Sequence, residues 1–268
     1  MRIWFQKHTV TGRVPGLDRA YEAHVAAIAR PDTEVYFEGL PPATYDAPLP
    51  ETLVRYGGVE DLFASWFTAQ AVQAERHGFD AYVIGTSQDP GLAAARGLVS
   101  IPVLGYGETA LHVASMFAAR FAVVGFIPEL AEPIRDNAAR YGFGDRLCAF
   151  AYTSTGPDAV HAALQGDAGE FLDAFHDAAR QAIATGAQAI IPGEGLPNEI
   201  LFREGVTTID NVPVLDADGL LITFAELVVQ GRATGMLPPV ATGYRGRRPS
   251  AEQVNQLLAI YGPRQLPD

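Results

Sequence analysis

Short runs that are apolar at nearly every position recur along this chain, with longer amphipathic stretches between them, and this alternation restricts the fold more than any other feature. DAYVIG (80–85), RFAVVGF (120–126) and QAIIPG (188–193) are of this kind. A strand with one face in water alternates apolar and polar residues, so a continuous apolar run suits a parallel strand covered on both faces. MRIWF (1–5), EVYFEGL (34–40), IPVLGYG (101–107) and VPVLD (212–216) read the same way. Residues 59–77 read as a helix that places Leu62, Phe63, Trp66 and Phe67 on one face at spacings of three and four. Residues 108–119, 129–141, 169–185 and 219–230 also read as helices. Asp89-Pro90 offers a cap and a first-turn proline to a short helix at 90–97. Strands alternating with helices predict an α/β fold with mainly parallel sheets.

An internal repeat sharpens this expectation. HGFDAYVIGTSQ (77–88) aligns with TGAQAIIPGEGL (185–196), which puts Gly78 over Gly186, Ala81 over Ala189, Gly85 over Gly193 and Thr86 over Glu194. Each copy runs through a helix end, a glycine, a strand, a polar turn, a short helix and a further strand, IPVL or VPVL. Two such units predict two pseudo-symmetric lobes, expected as residues 1–113 with 217–268 and residues 114–216. Ligands of open α/β sheets sit beyond the carboxyl ends of the strands. Thr86 and Glu194 are each the first polar side chain past such an end, so facing lobes would put them on opposite sides of one cleft.

Composition removes several functions. The chain has 268 residues, 19 Lys+Arg against 31 Asp+Glu, and a net charge of −12. That balance disfavours nucleic acid, whose binding is driven by neutralised phosphates, and anionic membrane surfaces. No stretch approaches the roughly 20 apolar residues of a membrane span. The first residues, MRIWFQKH, lack a leader-like apolar run, and the single cysteine, Cys148, suits a reducing compartment. The expected location is the cytoplasm. One cysteine excludes an internal disulfide and a Cys-based zinc site. No His/Asp cluster has ligand spacing; Asp173 and His176 share a helix face that reads as solvated. GxGxxG and GxxxxGK[ST] are both absent, so neither a metal nor a nucleotide cofactor is expected. A small molecule remains the expected partner.

The stretch AYVIGTSQDPGLAAARGLVSIPVLGYGETALHVASMFAARFAVVGFIPELAEPIRDNAARYGFGDR (81–146) resembles the aspartate/glutamate/hydantoin racemase superfamily, closest to its hydantoin-racemase branch. The pattern runs DPGL, AAR, IPVLGxGExALH, then RFAVV…IP and a helix ending in RYG. Weaker similarity continues through 186–196 and 211–219, and residues after about 235 have no counterpart in it. The resemblance implies two flavodoxin-like lobes with the active site between them, homo-oligomers, and cofactor-independent proton transfer next to a carbonyl or carboxylate. In two-base members a cysteine serves each face. Those cysteines fall here on Thr86 and Glu194, so the two-thiol mechanism is lost. A Thr hydroxyl is no base near neutral pH, whereas a buried Glu can be, which favours one-base or single-faced chemistry. Gly85-Thr86-Ser87 is also similar to the Gly-Thr-Ser of arylmalonate decarboxylases, where it holds a carboxylate and the enediolate formed after CO₂ loss. A helix N-terminus suits that role on physical grounds.

The expected catalytic pair is therefore Glu194 and Thr86. Gly85, Ser87, Gln88, Gly193 and Gly195 are expected around the substrate. Glu108 and Thr109 open a helix after a strand and are further candidates, although Glu108 there also complements the helix dipole. Gln6, Lys7 and His8 follow the first strand, where relatives carry a polar ligand loop, which makes Gln6 and His8 candidates. Arg245, Arg247 and Arg248 read as a solvated or subunit-contacting tail, with a closing lid as the alternative. The expected chemistry is isomerisation or decarboxylation of a small carboxylate or cyclic amide through an enediolate. The alternatives are amide or imide hydrolysis with Glu194 activating water, and a binding protein without turnover.

Overall fold

The computed structural model describes residues 1–263. In chain order it runs β1 (Arg2–Lys7), α1 (Pro15–Ile28), β2 (Glu34–Glu38), α2 (Glu51–Val54), α3 (Gly57–Arg76), β3 (Ala81–Gly85), α4 (Leu92–Leu98), β4 (Val103–Gly105) and α5 (Tyr106–Phe117). It continues with β5 (Phe121–Gly125), a 3₁₀ turn (Pro128–Leu130), α6 (Ala131–Arg140), β6 (Leu147–Tyr152), α7 (Pro157–Leu164), α8 (Gly169–Ala184), β7 (Ile190–Pro192) and α9 (Gly195–Arg203). The chain then forms β8 (Thr208–Ile209), β9 (Val212–Pro213), α10 (Ala217–Ala233), α11 (Gly243–Gly246) and α12 (Ala251–Tyr261).

The apolar runs form two parallel sheets. The first has the order β2-β1-β3-β4 and the second β6-β5-β7. Val214 joins the far side of β7 through a parallel bridge to Ile190, so the second sheet repeats the strand order of the first. β3 (AYVIG) and β5 (FAVVG) are buried at every residue, as strands covered on both faces must be. In the matched repeat, β3 ends at Gly85 and β7 stops one residue before Gly193. α10 returns along the first sheet, packing against β3, β4 and α5, and also touches α9.

Several local expectations change on folding. The buried stripe of α3 is Phe63, Phe67, Ala71 and Ala74, whereas Leu62 is 70% exposed. β1 extends through Lys7, so Gln6 and Lys7 belong to a central strand and not to a loop. The expected strand at 101–107 is cut to Val103–Gly105 because α5 begins at Tyr106. Asp89 does not cap the helix that follows it. α4 starts after Gly91, in the left-handed region at φ 73°, without a side-chain cap. Asp89 instead accepts the N–H groups of Gly107 (3.0 Å) and Glu108 (2.7 Å), and so caps α5. The segments 15–28, 147–152 and 157–164 add elements that the apolar pattern left unassigned, whereas α9 is the short helix expected after the second polar turn of the repeat.

Buried polar contacts join the elements. His24 of α1 contacts Glu199 of α9 through Nδ1 (2.8 Å) and Asp216, the N-cap of α10, through Nε2 (2.8 Å). The two carboxylates hold its imidazole in the protonated form, with the pKa raised to about 10 although burial opposes this. The tail is anchored as well: a Ser250–Gln253 capping box starts α12, and Val254 buries into the core that contains Phe63 and Phe67. Among the described residues, no helix is long and apolar enough to cross a membrane.

Candidate active site

Glu194 and Thr86 line one inner cavity, joined there by Gly85, Gln88, Gly195 and His8. Thr9, Pro50, Val54, Tyr21, Phe126, Ile127, Leu130 and Leu196 complete a mostly apolar wall. The cavity holds about 30 Å³, room for one water-sized group, and opens past His8, Val54, Gln88 and Leu130 into a vestibule of about 340 Å³. Arg55, just past α2, and Glu129 of the 3₁₀ turn pair across that vestibule at 3.8 Å.

Glu194 is the N-cap of α9, yet its side chain leaves that helix uncapped. The carboxylate turns to the end of β5, where it accepts the N–H groups of Phe126 (3.3 Å) and Ile127 (3.4 Å). Gly125 makes this approach possible: a Cβ there would lie 2.7 Å from Oε1. Burial outweighs the two N–H donors and raises the Glu194 pKa to about 8. The segment leading into it is held from the first sheet's side: the Tyr106 hydroxyl donates to Pro192 O (2.9 Å), with Glu194 O a more distant acceptor at 3.4 Å.

The part of the wall that follows β1 and β3 is a chain of side chains. The Thr86 hydroxyl donates to Gln88 Oε1, and His8 Nδ1 lies 3.3 Å from Thr86 Oγ1. A hydroxyl has one hydrogen, so with that hydrogen on Gln88 the contact requires His8 Nδ1–H to donate to Thr86. His8 Nε2 is then a bare lone pair, and it is buried without a partner. Burial also lowers the His8 pKa to about 4, so the ring is neutral. Its edge packs on Phe63 and Phe67, with ring centroids 4.4 and 5.3 Å away. Asn137 Nδ2 donates to Gln88 O (2.6 Å) and ties the turn to α6. The ordinary pKa order of Glu and His is inverted across this cavity, a pattern typical of acid/base pairs.

The remaining candidates lie elsewhere. Ser87 and Gly193 stand outside the cavity wall; Ser87 Oγ is buried without a partner, and Gly193 packs against Gly125 and Val123. Gln6 is occupied as a strand linker: it accepts from Trp4 Nε1 and donates to the carbonyls of Lys7, Glu38 and Gly39. Glu108 is held in a bidentate pair by Arg96, and Glu108 and Thr109 line a different groove. Cys148 lies on β6 with its thiol toward Phe121 O, away from the cavity. Sequence reading missed Tyr21, Gly125 and the N–H groups of Phe126 and Ile127. The only available signal was Gly125, which closes an apolar strand as Gly85 does.

Two parallel sheets of like strand order with a shared pocket beyond their carboxyl ends make this a pseudo-symmetric, two-lobed α/β protein. Over residues 21–217 the chain matches the Asp/Glu/Hydantoin racemase family and belongs to it, which makes it a racemase-type enzyme. It is 28% identical over 225 residues to a hydantoin racemase of Pseudomonas sp. (strain NS671), covering 82% of this chain and 84% of that one. Its fold is similar to allantoin racemase from Klebsiella pneumoniae, with TM-score 0.74, 25% identity, and 93% and 94% of the two chains covered. A variant of arylmalonate decarboxylase shares the fold at TM-score 0.56 and 16% identity, with 86% and 94% covered.

Proposed function

We propose that the protein racemises or epimerises a small cyclic amide of the hydantoin type, at the carbon next to a carbonyl, with Glu194 as the proton-moving group. One observation carries this reading: a carboxyl with its pKa raised to about 8 lines the same inner cavity as Thr86 and the unpartnered His8 Nε2. At neutral pH Glu194 keeps its proton and His8 keeps a lone pair. His8 Nε2 takes the proton from carbon, and the C–H electrons move onto the carbonyl oxygen as an enolate. Glu194 then returns a proton to the opposite face, which inverts the carbon. The exchanged state, His8 protonated and Glu194 ionised, runs the reverse reaction. The charge of the enolate supports protonated His8. His8 thus supplies the second group that the cysteine positions alone lack. The lobes of this reading are residues 1–113 with 217–263 and residues 114–216; the last five residues of the expected first lobe, 264–268, lie outside the described residues. The small inner cavity requires them to part for substrate, breaking the Arg55–Glu129 pair.

The test is proton NMR in D₂O with an enantiopure 5-substituted hydantoin. Wild type is expected to exchange the ring C–H for deuterium and lose optical rotation. Glu194→Gln and His8→Gln are each expected to slow the loss of optical rotation by about 10²–10⁴-fold. Loss of optical rotation at the wild-type rate in Glu194→Gln overturns the assignment. Hydrolysis or CO₂ release in place of exchange overturns the reaction class.

A further inference from the structure

A large groove lies outside the cleft. It holds about 830 Å³ between α4, α10 and α11 and shares no lining residue with the inner cavity. Its apolar side includes Ile101, Leu104, Phe224 and Val228. Its polar side brings together Arg96, Arg232, Arg245 and Arg248. In a chain of net charge −12, such a gathering of guanidinium groups runs against the overall balance. Glu108 is the carboxylate in the lining, and Arg96 already holds it. Among the described residues, Arg232, Arg245 and Arg248 have no carboxylate partner.

Two further observations show that this charge is uncompensated. Arg248 Nε is buried and unpartnered, and a buried donor without an acceptor is costly. Burial, and then the nearby charges of Arg248 and Arg96, lower the pKa of Arg232. Guanidinium groups fork onto carboxylates with paired hydrogen bonds, and the apolar side would cover a hydrocarbon body. We propose that this groove binds an organic anion, a carboxylate carried on an apolar chain or ring, at a site separate from the cleft. The tail thereby gains a role that its sequence did not announce: Arg245 and Arg248 face this groove, while Arg247 is exposed.

The probe is 4-phenylbutyrate, titrated by calorimetry into the whole protein. The comparisons are its neutral amide and inorganic phosphate. The carboxylate is expected to bind about tenfold or more tightly than either. Arg245→Gln with Arg248→Gln is expected to weaken it about tenfold, and Arg245→Gln alone, at an exposed side chain, by a smaller factor. Glu194→Gln, which alters only the cleft, should leave it unchanged. The proposal is overturned if the carboxylate does not bind, or if the amide or phosphate binds equally well. It is also overturned if the arginine variants bind as wild type, or if Glu194→Gln abolishes binding.

Discussion

Replacing Glu194 by Gln should make the protein more stable, and increasingly so as the pH rises. Burial raises this carboxyl from its ordinary 4.5 to about 8. Between those values the folded protein keeps a proton that the unfolded chain has released. The contribution of Glu194 to stability is therefore greatest at low pH and falls as pH rises, by up to about 1.4 kcal/mol per pH unit. From pH 6 to pH 8, where the folded group itself becomes half ionised, the loss comes to about 2 kcal/mol. Gln keeps an oxygen for the N–H groups of Phe126 and Ile127 but cannot ionise, so it loses none of this. The assay is urea unfolding of both proteins at pH 6, 7 and 8. The stability of Glu194→Gln relative to wild type should rise by about 2 kcal/mol across that range. Buried Asp89, also raised, to about 7, is present in both proteins and cancels in the comparison. A gap that stays flat with pH would refute the reasoning. Glu194 would then be ionised in the fold throughout, with no proton to deliver at neutral pH.

Other substitutions test the surroundings. Gly125→Ala places a Cβ 2.7 Å from Glu194 Oε1, so the carboxyl must move; turnover should fall about 100-fold while the melting temperature changes little. Asp89→Ala removes the acceptor for Gly107, Glu108 and Tyr141, and should lower stability at pH 6 by about 1–3 kcal/mol in urea unfolding. His24→Ala leaves Glu199 and Asp216 without their cation, and should cost about 3–5 kcal/mol near pH 6. Because the His24 pKa is raised to about 10, its contribution is complete below its ordinary 6.5 and disappears as pH rises through about 10, so the gap to wild type should close there.

The α/β class, the parallel sheets and the strand-end positions of Thr86 and Glu194, which line one cavity, were legible in the chain because they follow from local patterns. A strand buried on both faces writes itself as an apolar run, and a duplicated unit writes itself twice. The first polar residue after such a strand marks the carboxyl end, wherever the lobes finally sit. Residue identity alone also excluded the two-thiol route. What folding decided concerns side chains that meet from distant segments. Gln6 looked like a loop ligand, yet β1 runs two residues further and spends its amide on Glu38 and Gly39. Asp89 looked like the cap of its own helix, yet a left-handed Gly91 frees it to cap α5. Glu194 finds its donors at Phe126 and Ile127, far back in the chain, and its raised pKa comes from burial, which residue type does not encode. The bare nitrogen of His8 and the shared groove of Arg96, Arg232, Arg245 and Arg248 are of the same origin. Sequence specifies which groups are present and the period with which they recur, whereas solvent exclusion and proximity, which set protonation and charge balance, exist only once the two lobes have packed.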